Sequence, residues 1–242
     1  MIDIHTHMLP GIDDGSQFMD ESVNMARIAY DSGSDAVVLT PHCNTDRGFA
    51  NFNIDTIREL TDKLKARLKE EAIPLKLFEG MEILLSDSTV ELLKKNELLS
   101  LNKSRYYLVE FGFDCEEEYM DDLLSQVVDL RKVPVVAHPE RYAMVQKKPS
   151  YVKRWIDMGC LLQVNKGSIA GKFGRHAFRT VHELLDEEYV TCVASDAHGS
   201  QVRTNDMESV FLKIKSDFGK KYAEDLFLNN PQAIINDMDI RR

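Results

Sequence analysis

Short apolar runs alternate along this chain with longer amphipathic stretches. The apolar runs have the length and composition of buried β-strands, and they predict seven strands, at residues 2–4, 36–40, 75–78, 106–111, 133–137, 161–164 and 190–194. Apolar positions recurring every three or four residues predict helices between them, at residues 20–31, 53–71, 86–95, 119–131, 149–158 and 176–187. Gly159 is expected to cap the fifth helix, and the chain from residue 205 onward to be mostly helical, with breaks at Gly219 and Pro231.

The regular order of a strand followed by a helix predicts the fold class. Such alternation is typical of right-handed βαβ units and a parallel sheet, and near-continuous apolar strands indicate that both sheet faces are covered. Seven units predict an α/β fold of the TIM type, a closed or nearly closed (β/α)7 barrel that is one unit short. An open, doubly wound sheet is the alternative. Because no repeat, low-complexity segment or linker is visible, residues 1–242 are expected to form one domain.

Composition and charge narrow the classes of function. The chain has 242 residues, of which 43% are hydrophobic, with a formal net charge of -10. Without a basic block, this charge argues against a nucleic-acid partner, since phosphate backbones are bound by Lys and Arg. A phosphorylated ligand remains compatible, because bound metal ions reverse the local field. With neither a signal-like N-terminus nor a membrane-length apolar run, we expect a cytoplasmic protein that does not insert into membranes.

Histidines and carboxylates follow most of the predicted strands. In parallel α/β folds the carboxyl ends of the strands meet at one edge, where active sites form. Six of the seven strand ends carry such a residue, and in a barrel they would converge on one mouth. The candidate residues at these ends are His5, His7, His42, Glu82, Glu110, His138, Asp196 and His198.

The spacing of these residues indicates metal binding. Residues i and i+2 of an extended strand point to the same side, so His5 and His7 would grip one ion, and Asp196 and His198 share this spacing. Imidazole and carboxylate ligands suit Mn, Fe and Zn. A single histidine at a strand end is more often an ordinary hydrogen-bonded residue, and only the joint pattern favours a metal cluster. The remaining histidines, His176 and His182, fall in a predicted helix and are expected to be ordinary surface or groove residues.

The four cysteines argue against a thiol mechanism. None forms a C-x-x-C pair, which disfavours a zinc knuckle or a thioredoxin-like site. A cysteine-dependent phosphatase needs an arginine six residues after its nucleophile, where the loop cradles phosphate around a low-pKa thiolate. The residues six positions after the four cysteines are Phe49, Asp121, Lys166 and His198. None of them is an arginine, so a cysteine-dependent mechanism is disfavoured.

Six motifs, taken together, resemble a known family. HTHMLPGIDDG, TPHCN, GMEI, YLVEFGF, AHPERY and ASDAHG occur in this order. They resemble the bacterial PHP-domain protein-tyrosine phosphatases of capsule and exopolysaccharide loci, the CpsB/CapC type, from Met1 to about Asn230. The resemblance implies a distorted seven-stranded barrel with three divalent metal ions, manganese foremost and iron or zinc as alternatives. It also implies a substrate, a phosphotyrosine segment of a bacterial tyrosine kinase that controls polysaccharide export.

The resemblance also implies roles for individual residues. His5, His7, Glu82 and Asp196 would hold the first ion, Glu82, Glu110 and His138 the second, and Asp14, His42 and His198 the third. Arg141 and Arg203 match the arginines that bind phosphate in this family. A metal-activated hydroxide would attack phosphorus in line with the tyrosine oxygen, with Asp14 or His198 as the candidate general acid.

Three other functions remain open from the sequence. A PHP phosphatase of a small metabolite, such as histidinol phosphate, would use nearly the same ligands. A PHP exonuclease is disfavoured by the acidic composition, and a non-catalytic PHP binding module by the complete ligand set. The oligomeric state and the role of residues 43–53 in substrate choice are open as well.

Overall fold

The computed structural model describes residues 1–240, apart from the side chain of Asp46. Within this part of the chain the strands are β1 Ile2–Thr6, β2 Ala36–Leu39, β3 His42–Asn44, β4 Phe49–Ala50, β5 Lys76–Glu79, β6 Glu82–Leu84, β7 Tyr106–Glu110, β8 Val133–Ala137, β9 Leu161–Asn165 and β10 Cys192–Ala194. The helices are α1 Met19–Asp31, α2 Ile54–Glu70, α3 Asp87–Lys95, α4 Glu117–Asp129, α5 Ala143–Lys147, α6 Val152–Met158, α7 Lys166–Ile169, α8 Gly174–Asp186, α9 Glu208–Phe218, α10 Lys220–Glu224 and α11 Asn230–Ile235. Short 3-10 turns lie at Thr45–Arg47, Leu101–Lys103, Pro139–Arg141 and Pro149–Tyr151, and a π-helical turn at Asp225–Asn229.

The strands form two hydrogen-bonded sheets. One has the order β1-β2-β5 and the other the order β10-β9-β8-β7-β6-β3-β4. All neighbouring strands are parallel except β3 and β4, which form a short antiparallel hairpin. The fold is therefore mixed α/β with a parallel-dominated sheet, which confirms the predicted class.

The predicted number of strands was too low by three, because two predicted strands continue as the separate short strands β3 and β6, and β4 adds a short hairpin partner to β3. β2 is followed by β3 after Thr40 and Pro41, and β5 by β6 after Gly80 and Met81. Pro41 has no N–H to donate, so the ladder is interrupted there. β3 and β6 then pair with each other in the larger sheet. The sequence shows the seven alternating units. It does not show the interruptions between β2 and β3 and between β5 and β6, because these depend on individual backbone hydrogen bonds.

Two apolar cores lie on opposite sides of the strands. In β7, Leu108 belongs to the smaller cluster and Val109 to the larger one, as the alternation of side chains along a strand requires. We call the smaller cluster the inner core. Its buried members are Ile2, Ile4, Ala36, Val38, Leu101, Tyr106, Leu108, Val135, Ala137, Leu161, Cys192, Ala194, Ile234 and Ile235. Burial on both faces explains the near-continuous apolar strands.

The C-terminal tail packs against the amino ends of the strands. Ile234 and Ile235 of α11 are buried in the inner core, and the backbone N–H of Arg105, just before β7, donates to Asp237 Oδ1 at 2.8 Å. Gly219 separates α9 from α10, as predicted. Pro231 does not end the helical run, which continues from α10 through the π-helical turn Asp225–Asn229 into α11, and this turn directly precedes the proline-containing first turn of α11.

The helix boundaries follow local chemistry. Asn53 accepts from two N–H groups at the start of α2, and Ser86 forms a capping box with Thr89 at the start of α3. Gly159 ends α6 in the left-handed conformation, with φ 104°, as predicted. Among the described residues, no helix combines the length and apolarity needed to cross a bilayer.

Candidate metal centre

The candidate residues meet at the carboxyl ends of the strands. His5 lies in β1, His42 opens β3, Glu82 opens β6, Glu110 ends β7, and His138 follows β8 directly. Their side chains are almost fully buried, whereas the side chain of Asp14 is 45% exposed. The structure therefore brings together, in one pocket, all of the residues that the sequence nominated as metal ligands: His5, His7, Asp14, His42, Glu82, Glu110, His138, Asp196 and His198.

Three overlapping groups have ligand atoms close enough to surround an ion. Every ligand atom in a group lies within 4.8 Å of the others. His7 and His42 each belong to two groups, so neighbouring groups have a histidine in common. The groups are His5, His7 and Asp196; His42, Glu82 and Glu110; and His7, Asp14, His42 and His198.

Glu82 is the centre of the cluster. Its Oε2 lies 3.2 Å from Nε2 of both His5 and His7 and 2.9 Å from Nδ1 of His42. Its other oxygen, Oε1, lies 2.9 Å from Nε2 of His138. One carboxylate therefore reaches four imidazoles, which is the geometry of a ligand shared between ions.

The groups do not coincide residue by residue with those that the resemblance implied: the first lacks Glu82, the second has His42 where His138 was expected, and the third also includes His7. His138 was expected beside Glu82 and Glu110, but its Nε2 is 4.0 Å from Glu110 Oε2. His42 lies closer, with Nδ1 3.2 Å from Glu110 Oε1 and Nε2 3.3 Å from Asp14 Oδ1. The two ring nitrogens of His42 thus face two different groups.

Hydrogen bonds from behind orient the imidazoles. The Nδ1 of His5 donates to Gln163 Oε1 at 2.7 Å, and the Nδ1 of His7 donates to Asp13 Oδ2 at 2.8 Å. Each bond leaves Nε2 as the ligand atom that faces the pocket. Sequence reasoning missed both partners. The signal for Gln163 was a polar residue inside the apolar run LLQV, whereas nothing in the Asp-Asp pair shows that Asp13 turns inward.

Several buried polar atoms have no hydrogen bond. They are both ring nitrogens of His42, Glu82 Oε2 and His138 Nδ1. A buried polar atom without a partner costs about 1–3 kcal/mol, so this many in one pocket points to a missing partner. Imidazole nitrogens and carboxylate oxygens together are a donor set that Mn, Fe and Zn accept. The residues present therefore fit divalent metal ions.

The electrostatics keep the acidic ligands ionised. Burial alone would raise the pKa of Glu82, but His5 and His42 outweigh it and hold this pKa well below its usual range. Burial opposes ionisation of Asp196 as well, and His5, His7 and Arg203 again lower its pKa well below the usual range. Both carboxylates are thus negatively charged, as cation ligands must be.

Two of the candidate ligands have strained backbones. His138 has φ 38° and Asp196 has φ 49°, in the left-handed region that non-glycine residues rarely adopt. His138 also precedes Pro139, a position that normally forces extended backbone. Such strain costs about 1–3 kcal/mol per residue and concentrates at functional sites.

The two candidate phosphate-binding arginines contact the outer oxygen of Asp196. Arg203 Nη2 lies 2.6 Å and Arg141 Nη1 3.6 Å from Oδ2, whereas Oδ1 faces His5, His7 and His198 at 3.5 Å. The arginine side chains are 29% and 22% exposed. Positive charge accessible to solvent therefore borders the cluster on one side.

Two loops enclose the pocket. Gly15 packs directly against the backbone of His7, so that any side chain there would overlap the His7 carbonyl oxygen. In the segment 43–53, Asn44 donates to Glu110 Oε1 at 3.0 Å, and the Phe49 ring stacks on His42 with centroids 5.7 Å apart. This segment, whose role the sequence left open, thus forms part of the wall of the site.

The residues outside the cluster agree with the expectations from sequence. His176 and His182 lie in α8, where His176 is exposed and the His182 ring bonds to the Phe178 carbonyl. Burial raises the pKa of the Cys43 thiol to about 12, which disfavours the thiolate that a cysteine mechanism needs.

Comparison with known proteins places these residues in context. The family model for capsular polysaccharide synthesis, CpsB/CapC, matches residues 1–236. Tyrosine-protein phosphatase YwqE of Bacillus subtilis (strain 168) is 33% identical over 242 residues, covering 100% of this chain and 94% of that protein. Tyrosine-protein phosphatase CpsB of Streptococcus pneumoniae is 32% identical, covering 98% of this chain and 99% of that protein.

Solved structures agree. A crystal structure from a study of YwqE from Bacillus subtilis and CpsB from Streptococcus pneumoniae, described as unique metal-dependent tyrosine phosphatases, superposes with a TM-score of 0.93. The identity is 33%, and the match covers 100% of this chain and 97% of that one. A lactonase from Listeria monocytogenes, 12% identical with a TM-score of 0.57, covers 98% of this chain and 95% of that one, and shares the fold alone.

Proposed function

Since this chain belongs to the CpsB/CapC family, we propose that it is a metal-dependent protein-tyrosine phosphatase, as its relatives are named. The observation that carries the proposal is the set of three overlapping His/carboxylate groups with two arginines at their edge. This arrangement suits a phosphate monoester, whose oxygens need both cations and hydrogen-bond donors.

The site has ligands for three divalent ions, with manganese the expected metal. The first would lie among His5, His7 and Asp196, the second among His42, Glu82 and Glu110 with His138 beside them, and the third among His7, Asp14, His42 and His198. Bound ions supply Lewis acidity and lower the pKa of coordinated water toward neutrality.

The protein's own groups bind the phosphate and handle the leaving group. Arg141 and Arg203 donate charge-assisted hydrogen bonds to phosphate oxygens from the open side of Asp196. The imidazoles of His198 and His42 beside it hold the pKa of Asp14 far below its usual range. Burial lowers the pKa of His198 as well, so Asp14 and His198, whose Oδ1 and Nε2 lie 3.4 Å apart, are both candidates for the general acid at the tyrosine oxygen.

We further propose that the two sheets form one distorted barrel of seven βα units. Backbone hydrogen bonds where the sheets meet support this arrangement. At one junction β2 and β5 continue into β3 and β6, with the Gly80 N–H donating to the Leu39 carbonyl at 2.9 Å and the Glu82 N–H to the Pro41 carbonyl at 3.1 Å. The N–H groups of Asp196 and His7 donate to His5 and Ala197 carbonyls at 2.9 Å, linking the end of β1 to the segment after β10.

The substrate we propose is a phosphotyrosine segment of a bacterial tyrosine kinase that regulates capsule or exopolysaccharide synthesis. The family description, capsular polysaccharide synthesis, supports the pathway, and the relatives' name, tyrosine-protein phosphatase, supports the amino acid. A cytoplasmic location and a single domain stay predictions from the sequence.

The deciding experiment measures turnover and metal content on the same preparation. Protein reconstituted with Mn²⁺ is assayed on a phosphotyrosine peptide, a phosphoserine peptide and histidinol phosphate, while elemental analysis counts the bound ions. We expect preference for phosphotyrosine, loss of activity with a chelator and recovery on adding Mn²⁺. Faster turnover of histidinol phosphate, or full activity after chelation, would overturn the proposal. Alkylation of thiols is the control and should leave most of the activity.

A further inference from the structure

One aromatic side chain contacts both arginines at the edge of the metal centre. The Phe173 ring centroid lies 4.7 Å from the guanidinium carbon of Arg141 and 5.6 Å from that of Arg203. Arg141 also lies 4.3 Å from the ring of Phe113, whereas Phe173 is the only ring recorded against Arg203 among the described residues. Such contacts are attractive, because the negative face of the ring meets a cation.

The arginines themselves come from separate parts of the chain. Arg141 ends the 3-10 turn Pro139–Arg141 after β8, and Arg203 lies in the loop after β10, with φ 51°. Neither position lies within a helix or strand that would hold a long side chain in place. The shared contact with Asp196 Oδ2 fixes the two guanidinium groups at one point only, so a second contact is needed to set their orientation.

Helix α7, just before Phe173, is joined to both arginine loops. Glu140, the neighbour of Arg141, accepts from the N–H of Asn165 at 3.0 Å and from the Ser168 hydroxyl at 2.6 Å. On the other side, Lys166 Nζ donates to the backbone carbonyl of Asp206, in the Arg203 loop. α7 thus bridges the loops that carry the two arginines.

Phe173 is held against this bridge by a tight turn. The N–H of Lys172 donates to the Gly167 carbonyl at 2.8 Å, which folds the chain back over α7. The Phe173 ring then lies on Gly167, where an added Cβ would stand 2.6 Å from Cε2 of the ring. The absence of a side chain at position 167 is therefore a condition for this ring position.

We propose that Phe173 is a positioning residue that aligns the guanidinium groups of Arg141 and Arg203 on the phosphate of the substrate. The inference rests on the proposed function, since it assigns phosphate to these arginines. It predicts that the ring acts on phosphate binding and leaves the metal cluster unchanged. It also predicts a larger effect through Arg203, because Arg141 keeps its contact with Phe113.

The test compares Phe173→Leu with Phe173→Tyr and the control Phe178→Leu in the Mn²⁺-loaded protein. Phe178 is a part-exposed phenylalanine in α8 that packs on His182, outside the site. Calorimetry gives the dissociation constant for inorganic phosphate. For Phe173→Leu we expect about tenfold weaker binding and a similar rise in KM with little change in kcat, metal content or melting temperature. Phe173→Tyr should restore binding, and Phe178→Leu should match the wild type.

A spectroscopic readout needs no turnover. The side-chain N–H resonances of Arg203 and Arg141, observed in ¹⁵N-arginine-labelled protein loaded with diamagnetic Zn²⁺, should shift in Phe173→Leu as the ring current is lost, and Arg141, whose guanidinium carbon lies nearer the ring, should shift more. Gly167→Ala, which displaces the ring, should weaken phosphate binding to the same extent. Combining it with Phe173→Leu should add little, because both changes remove one contact.

The outcomes separate this inference from the proposed function. If phosphotyrosine is hydrolysed but phosphate binding is the same in Phe173→Leu and the wild type, the positioning role is wrong and the function stands. If Phe173→Leu loses metal, the residue supports the scaffold and the inference is wrong. If phosphate binding is weaker in Phe173→Leu than in the wild type, but the wild type does not hydrolyse phosphotyrosine, the positioning role stands and the proposed function is wrong.

Discussion

At the amino ends of the strands the inner core is filled by apolar side chains, among them Ile2, Tyr106 and, from the tail, Ile234. At the carboxyl ends the same strands finish in buried histidines and carboxylates, with Glu82 at their centre. Burial of apolar surface is non-directional and is divided over many contacts. A buried charge, in contrast, depends on a few specific partners, and removing one leaves the others uncompensated. The two ends should therefore respond to mutation in opposite ways.

The largest effect is expected for Glu82→Ala. Because this carboxylate reaches four imidazoles, its loss should lower metal content and reduce activity by at least about a thousandfold, as losing a ligand shared between two ions would. Elemental analysis and phosphotyrosine-peptide turnover are the measurements. Glu79→Ala, an acid only three residues away that pairs with Arg58 instead, is the control. Unchanged metal stoichiometry in Glu82→Ala would show that metal binding at the carboxyl ends of the strands does not depend on this residue.

A smaller effect is expected for Asp13→Asn, which alters the hydrogen-bond partner of the candidate ligand His7 but leaves His7 itself in place. Asp13 accepts from His7 Nδ1 and also from the N–H of His42. Neutralising it should weaken metal affinity by about 10- to 100-fold, measured by titrating Mn²⁺ into stripped protein. Asp20→Asn, which alters an exposed ion pair, should leave affinity unchanged. Equal affinities in the two variants would contradict the role given to Asp13.

Arg141→Ala tests the edge of the cluster. A hydrogen bond to a charged group contributes about 1.5–3 kcal/mol, so KM for the phosphopeptide should rise by about 10- to 100-fold while metal content stays at the wild-type level. Steady-state kinetics and elemental analysis on one preparation measure both quantities. Loss of metal in this variant would show that Arg141 holds the candidate ligand Asp196 in position and does not serve mainly to bind phosphate.

The smallest effect on catalysis is expected at the amino end. Ile234→Ala removes a fully buried side chain of the inner core and should lower the free energy of unfolding by about 2–5 kcal/mol. The kcat of the folded fraction should not change, because in the described part of the chain α11 makes no hydrogen bond or ion pair with a candidate metal ligand. Urea unfolding and turnover below the unfolding transition measure the two quantities. A fall in kcat without a fall in stability would mean that the two ends are coupled.

The sequence predicted the strands and helices of the βα units well, because their signals are local. β8 was predicted to the residue, and Gly159 ends α6 as expected. The short strands β3, β4 and β6 were not predicted, since two or three residues show no periodicity. α7 was missed for the same reason: a four-residue helix between a strand and a glycine-containing loop has no amphipathic pattern of its own.

For the site, residue type and strand position were enough to nominate the ligands but not to group them. His42 proved to face two groups, and His138 Nε2 lies 2.9 Å from Glu82 Oε1 and 4.0 Å from Glu110 Oε2, beside the group to which the resemblance assigned it. The supporting residues Asp13 and Gln163 were not nominated. Their roles depend on hydrogen bonds to the Nδ1 atoms of His5 and His7. Those bonds depend on the directions of side chains that are distant in the sequence.

The sequence by itself determined the order of strands and helices, the residues placed at the carboxyl ends of the strands and the family to which the chain belongs. These follow from periodicity and from motifs that are contiguous in the chain. Only the tertiary structure decided that Glu82 reaches four imidazoles, that Asp196 divides its oxygens between histidines and arginines, and that Phe173 contacts both arginines. The physical reason is that these contacts join residues distant in sequence, whose separation in space depends on the packing of the whole fold.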